Sequence, residues 1–307
     1  MKHLFVKQGM MLALFLSALS FSNCQKSTGG KTYRYNGIMT VDGWNRTYLL
    51  NLPPDFYDTT GFPLVIMLHG FGGSASQAET DYGVTDKGNA NHFVVVYPEG
   101  IRSGRGYQLR SWNAGNCCFV AQSDNVDDVH YISTLIDYLV ANYRVDPKRV
   151  YVAGMSNGAM MTYRLSCELA GKIAAVMSVS GTLITSSPCS PARVVPVLEI
   201  HSSLDTKVPF YGGYGMGGVW FPAVDSGLNV LAAVDGCGTP VATSYTGYTL
   251  TEWKGGNGNA ALDCYLTQDG GHSWPGGVKP REQADPPSVY LNATDLMWDF
   301  FQHYTLP

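Results

Sequence analysis

Charge is what this chain of 307 residues has least of. Asp, Glu, Lys and Arg make up 14% of it, against about 25% in an ordinary soluble protein, which excludes a charge-rich disordered chain or a long solvated helix. The formal charge of −4 gives no basic patch, so nucleic acid is not the expected partner. No C-x-x-C occurs, and the adjacent Cys117 and Cys118 lack zinc-site spacing, so no metal is expected. No internal repeat is visible, and no linker after residue 40 marks off a second domain. What is plentiful is apolar residues at 45%, with 35 Gly, 16 Pro and 19 Tyr. This is the composition of a compact, weakly charged protein in which turns matter.

The start of the chain must be set aside before a fold is read. Residues 1–23 carry Lys2 and Lys7, then the apolar run Met10 to Leu19, then Ser20 to Asn23. That is the layout of a signal peptide, with an apolar stretch short for a permanent span; an uncleaved anchor is the alternative. Cys24, directly after the apolar run, resembles the acylated cysteine of bacterial lipoproteins. Asn23 departs from that pattern, which prefers Gly, Ala or Ser there, and plain secretion is the other outcome. Without residues 1–23 the net charge becomes −6. Residues 24–40 read as a lipoprotein-type N-terminus and flexible tether, and 41–307 as one domain. Six cysteines follow Cys24, an even number that suits disulfides outside the cytoplasm. Sequence proximity suggests Cys167 with Cys189 and Cys237 with Cys264, leaving Cys117 and Cys118 bonded to each other or free.

Short runs apolar at every position suit strands buried on both faces. Leu64–Leu68, Phe93–Tyr97 and Val150–Ala153 are such runs, Ala175–Val179 and Val195–Ile200 continue the series with a polar residue in each, and Arg46–Leu52 alternates like a strand before Pro53. Helical spacing appears at Val129, Ile132, Leu135, Ile136 and Leu139, after Asp127 and Asp128, again over Ala159–Leu169, and in Leu291–Tyr304. Strands alternating with helices imply an α/β fold with a mostly parallel sheet. Residues 205–260, rich in Gly and Tyr, read as long loops above it.

Gly154-Met-Ser-Asn-Gly158 fits G-x-S-x-G, a pattern short enough to arise by chance. Its place between a strand and a helix is the setting of a nucleophile elbow, which makes Ser156 the candidate nucleophile. A serine hydroxyl needs a base to take its proton and a carboxylate to orient that base. His201, His272 and His303 follow Ser156. His272 lies in a Gly-rich loop after a strand-like segment and is the preferred base; His201 ends a buried strand and is the alternative. Asp205, a short turn beyond the strand that ends at Ile200, is the preferred acid over Asp225, Asp235, Asp263 and Asp269. The backbone N–H groups of Phe71, in His69-Gly-Phe-Gly-Gly73, and of Asn157 are the expected oxyanion donors. The same Gly-rich stretch is not followed by the G-K-[ST] of a phosphate loop. Trp112, Trp220, Trp274, Tyr211 and Tyr214 are candidate substrate contacts, with packing as their other use.

Taken in order, His69–Gly73, Tyr97–Gly100, Ser111–Asn113 with Cys117-Cys118, Val126–Val129, Gly154–Met160, Asp205–Pro209 and Gly271–Gly276 resemble the polyhydroxybutyrate depolymerase and feruloyl esterase group, carbohydrate esterase family one in the broad sense. The resemblance runs from about residue 35 to the C-terminus. It implies an α/β-hydrolase fold, a triad of Ser156, Asp205 and His272, no cofactor, and the two local disulfide pairings named above. The implied substrate is a feruloyl or related acyl ester on plant polysaccharide, with hydroxyalkanoate oligomers as the alternative. A carbohydrate-binding lipoprotein on a decayed esterase scaffold is the reading of another class. The expected location is secreted or cell envelope, with membrane attachment through Cys24.

Overall fold

A computed structural model describes residues 31–102, 109–258 and 260–307. Its main sheet has ten strands in the order β1-β2-β4-β3-β7-β8-β9-β14-β13-β12. The first four are β1 (Arg34–Val41), β2 (Trp44–Asn51), β3 (Phe62–Leu68) and β4 (Val94–Pro98). Next come β7 (Val145–Met155), β8 (Ala175–Val179) and β9 (Val197–Ser202), then β12 (Val241–Tyr245), β13 (Tyr248–Trp253) and β14 (Leu262–Thr267). Two small ribbons, β5 (Ile101–Arg102) with β6 (Arg110–Ser111) and β10 (Gly213–Tyr214) with β11 (Trp220–Phe221), lie outside it. The six strands from β4 to β14 pair in parallel, and antiparallel pairs close both edges.

Alternation along the central strands sends side chains to two cores. On one face Leu64, Ile66, Val150 and Val152 pack with α4 (Asp128–Asn142), α5 (Asn157–Glu168) and α6 (Val224–Asp235). On the other, Val65, Met67, Tyr151 and Ala153 pack with α1 (Ala75–Tyr82), α2 (Val84–Asn91) and α7 (Ala293–Phe301). The short helix α3 (Phe119–Ser123) follows the vicinal disulfide Cys117–Cys118. A parallel sheet must be covered on both faces, which is why its strands read as unbroken apolar runs.

The structure corrects several expectations. Regular structure begins at Arg34 rather than at residue 41, since β1 lies within the stretch read as tether. Residues 205–260 are not loops alone: they hold α6 and the strand pair β12–β13 that extends the sheet. Strand β12 is exposed throughout and β13 fully buries only Trp253, so they carry no apolar run to read. Helices α1 and α2 are short and polar, with no apolar period that marks them in the sequence. Cys167 pairs with Cys189 as expected, but Cys237 and Cys264 are free thiols. The signal peptide and Cys24 lie outside the described residues. Among those residues no helix is long and apolar enough to cross a membrane.

Candidate active site

Four strand ends on one side of the sheet carry the candidate residues. Ser156 follows β7, Asp205 follows β9, His272 follows β14, and the Gly-rich loop from His69 follows β3. Ligands of open α/β sheets bind at such carboxyl ends.

The turn at Ser156 is sharp. Its backbone sits at φ 57° and ψ −120°, a conformation that side chains rarely adopt and that needs enforcement by its surroundings. The flanking glycines allow it: a Cβ on Gly154 would lie 2.5 Å from the Gly158 backbone, and one on Gly158 would lie 2.5 Å from the Leu68 carbonyl oxygen. Strand β7, helix α5 and strand β3 therefore meet too closely for any larger residue. Ser156 Oγ lies 2.9 Å from His272 Nε2, and His272 Nδ1 lies 2.7 Å from Asp205 Oδ2. The other Asp205 oxygen accepts the Lys207 and Val208 amides at 2.8 and 2.9 Å. Burial would raise the Asp205 pKa, but the charge of His272 and hydrogen bonds to His201 and His272 hold it well below the usual carboxylate range.

Helix α5 begins at Asn157, so its N–H is among those that a helix leaves without an intrahelical partner. The Phe71 N–H likewise makes no backbone bond among the described residues. A Cβ on Gly70 would stand 3.3 Å from the Ser156 Cβ, which places the loop carrying Phe71 against the serine. That loop is fastened from several sides. Trp112 Nε1 donates to the His69 carbonyl oxygen at 2.9 Å, and the Asn157 side chain both accepts from the Trp112 N–H and donates to its carbonyl. Gly72 N–H donates to the Arg110 carbonyl oxygen. His69 accepts the Gly100 N–H at Nε2, so its Nδ1 carries the proton and donates to the Gly70 carbonyl. Burial lowers the His69 pKa to about 4, which keeps the ring neutral and suits this bonding.

A family model described as "Esterase PHB depolymerase" matches residues 46–205, more than half of the chain. The chain belongs to this esterase family. Feruloyl esterase B of Piromyces equi is 25% identical over 270 residues, covering 85% of this chain and 46% of that protein. Probable feruloyl esterase C of Aspergillus terreus is 26% identical over 305 residues, covering 93% and 94%. The chain thus spans about half the length of some curated relatives and nearly all of others. Among solved structures, acetyl xylan esterase from Aspergillus awamori superposes with a TM-score of 0.58 at 17% identity, covering 83% of this chain and 94% of that one. That likeness establishes the α/β-hydrolase fold, in one domain with a mostly parallel sheet.

Other residues singled out from the sequence of this family member fall differently. Trp112 is fully buried and Trp274 is 3% exposed, stacked on Tyr82 with Nε1 donating to Thr294. Both are packing residues and leave no ring face for a substrate, which corrects the expectation that they line the cleft. Tyr211, Tyr214 and Trp220 are exposed, in or beside the β10–β11 ribbon. His201 is buried behind Asp205, its nitrogens directed at Glu199 and the Val208 carbonyl rather than at Ser156. His303 is exposed at the end of the chain.

Two further residues, Phe119 and Asp285, stand beside these groups. The ring of Phe119, at φ 57° and 41% exposed, stacks on Phe71 with centroids 3.6 Å apart. Its signal was its place directly after the cysteine pair. Asp285 accepts the His272 N–H at 2.9 Å and packs where a Cβ on Gly271 would sit, which fixes the histidine loop. Among the described residues one group has metal-ligand spacing, Asp42, Asp127 and His130, all exposed. Those side chains are engaged locally: His130 Nδ1 pairs with Asp42, and Asp127 caps α4.

Proposed function

We propose that this protein is a serine esterase acting by two-step acyl transfer. The observation that carries the reading is the continuous chain of hydrogen bonds from Ser156 Oγ through His272 to Asp205, beside two backbone N–H groups that make no backbone bond among the described residues. Ser156 Oγ attacks the ester carbonyl carbon while His272 Nε2 takes its proton. The carbonyl oxygen becomes anionic and is held by the Phe71 and Asn157 amides. Collapse expels the alcohol, which receives the proton from His272, and leaves an acyl-Ser156. Water, giving a proton to His272, then attacks the acyl carbon; the bond to Ser156 Oγ breaks, His272 returns the proton to Oγ, and the acid is released.

Feruloyl or related acyl esters of plant polysaccharide are the proposed substrates. The stacked Phe71–Phe119 pair next to the oxyanion loop offers an aromatic surface for a hydroxycinnamoyl group, and relatives of similar length are feruloyl esterases by name. Hydroxyalkanoate oligomers are the second reading, favoured by the description of the family. Export, with attachment to the cell envelope through an acylated Cys24, belongs to the same proposal.

Hydrolysis of p-nitrophenyl acetate by the wild type and by Ser156→Ala tests the chemistry, with a loss of about 10⁶-fold in kcat expected for a triad nucleophile. Equal rates would instead leave a binding protein on an esterase scaffold. Methyl ferulate compared with hydroxybutyrate oligomers at matched concentrations tests the substrate; a much larger kcat/KM for the oligomers would overturn the feruloyl assignment.

A further inference from the structure

Behind the triad lies a second polar cluster for which the acyl-transfer steps have no use. His201 and Glu199, both on β9, are buried. His201 Nε2 lies 2.8 Å from the Val208 carbonyl oxygen and 3.4 Å from Asp205 Oδ2, the oxygen that also accepts from His272. Both neighbours are acceptors, so Nε2 bears a proton. His201 Nδ1 lies 2.8 Å from Glu199 Oε1, and Glu199 Oε2 accepts from the Tyr163 hydroxyl of α5 at 2.8 Å. A proton on Nδ1 as well lets every donor in the row find an acceptor: Tyr163 and His201 donate to Glu199, and His201 and His272 both face Asp205.

We propose that His201 is a positioning residue for the triad, a buried imidazolium balanced by Glu199 that holds the Oδ2 side of Asp205 and shares its charge with His272. The proposal rests on the esterase reading and concerns how its acid is set. Three consequences follow from the geometry. Asp205 is held on both oxygens, by backbone amides on one and by two imidazoles on the other, so it cannot swing away from His272. A cation beside Oδ2 draws on the same negative charge that His272 faces when it takes the Ser156 proton, so the two imidazoles compete for it. Glu199 supplies the counter-charge without which the cation would not survive burial.

Burial would lower the His201 pKa, but its bonds to Asp205 and Glu199 push it up to about 10. The titratable groups facing this cluster are Tyr163 from α5, Cys264 from β14, opposite Glu199 in the strand register, and Asp205 and His272 from the loops. The Phe210 ring closes the pocket at 5.6 Å from the imidazole.

The first test is nitrogen-15 NMR of histidine-labelled wild-type protein. Two ring N–H signals for His201 that persist without titration from about pH 5 to 8 are expected, whereas an unperturbed histidine titrates near 6.5. A single ring N–H, with the proton on Glu199, would overturn the proposal. The second test is the pH profile of the double variant Glu199→Gln/His201→Gln, which removes both charges together and leaves neither orphaned. Its kcat/KM should fall off at a pH about one unit higher than the wild type on the acidic side, the low end of what a charge at this range does. KM should stay within about twofold, because neither residue touches substrate. An unmoved acidic limb with a lower kcat would reduce the pair to ordinary packing. The NMR result needs no turnover, so a doubly protonated His201 in a protein that hydrolyses no ester would sink the esterase reading alone.

Discussion

Ser156 illustrates how much one residue depends on its neighbours. Its positive φ is tolerated because Gly154 and Gly158 let a strand and a helix approach within backbone contact, and the same approach lifts Oγ to the end of the sheet. Asp205 depends on its surroundings in another way. Exchanging it for Asn would keep the shape but lose the charge and disturb the tautomer that His272 needs. Asp205→Asn should therefore lower kcat by about 10⁴-fold with little change in KM, the scale seen when a triad acid is neutralised. A fall of less than about tenfold would remove Asp205 from the triad. The sign for stability is also set: its folded-state pKa lies below that of the unfolded chain. Its contribution is fully present above about pH 4 and is lost as pH falls through the lower, folded-state value.

At the scale of elements, the sequence motifs outside the triad turn out to be fasteners. Asp127 and Asp128 mark a helix start, as the pattern suggested, but they divide the work. Asp127 caps α4, and Asp128 turns inward to meet Arg46 from β2 at 2.6 Å and the Asn113 N–H at 2.7 Å. Arg46 also lies over the Tyr131 ring at 3.9 Å. One buried ion pair thus ties the second strand of the sheet, a helix and the segment carrying Trp112, which in turn holds the Gly-rich loop at His69. Arg46→Met should cost about 3–5 kcal/mol, because it leaves Asp128 charged and unpaired in a buried place. Denaturant unfolding measures this, and a midpoint unchanged from the wild type would show that the pair carries no such tie.

At the scale of the whole molecule, four loops from four strand ends meet on one side of a sheet whose central strands are covered on both faces by helices. The low overall charge fits such a molecule: the buried Arg46 is paired with Asp128, and the proposed ester substrate is neutral. In the proposal, attachment to a membrane falls to Cys24. Cys24→Ser should move the protein from the membrane fraction to the soluble fraction of its host, and an unchanged distribution would reject acylation.

Strands such as Leu64–Leu68 and Val150–Ala153 were legible as apolar runs, because a two-face burial demand is written residue by residue. The sharp turn at Ser156 and the Cys167–Cys189 pair were legible because they are local, and Ser156, Asp205 and His272 were legible as the candidate set that the fold brings into one hydrogen-bonded row. The strands Val241–Tyr245 and Tyr248–Trp253 were not: they lie at an exposed edge, where no burial pattern is imposed. Whether Trp112 and Trp274 line a cleft or fill a core was beyond the sequence too, since an indole serves either. So was the pairing of Cys237 and Cys264, which nearness along the chain suggested and the fold leaves as separate thiols. The sequence by itself determined the fold class and which residue types are able to do the chemistry. Only the tertiary structure decided that Phe119 stacks on Phe71, that Asp285 braces His272, and that His201 stands behind Asp205, because each contact joins segments that meet only when the strands align.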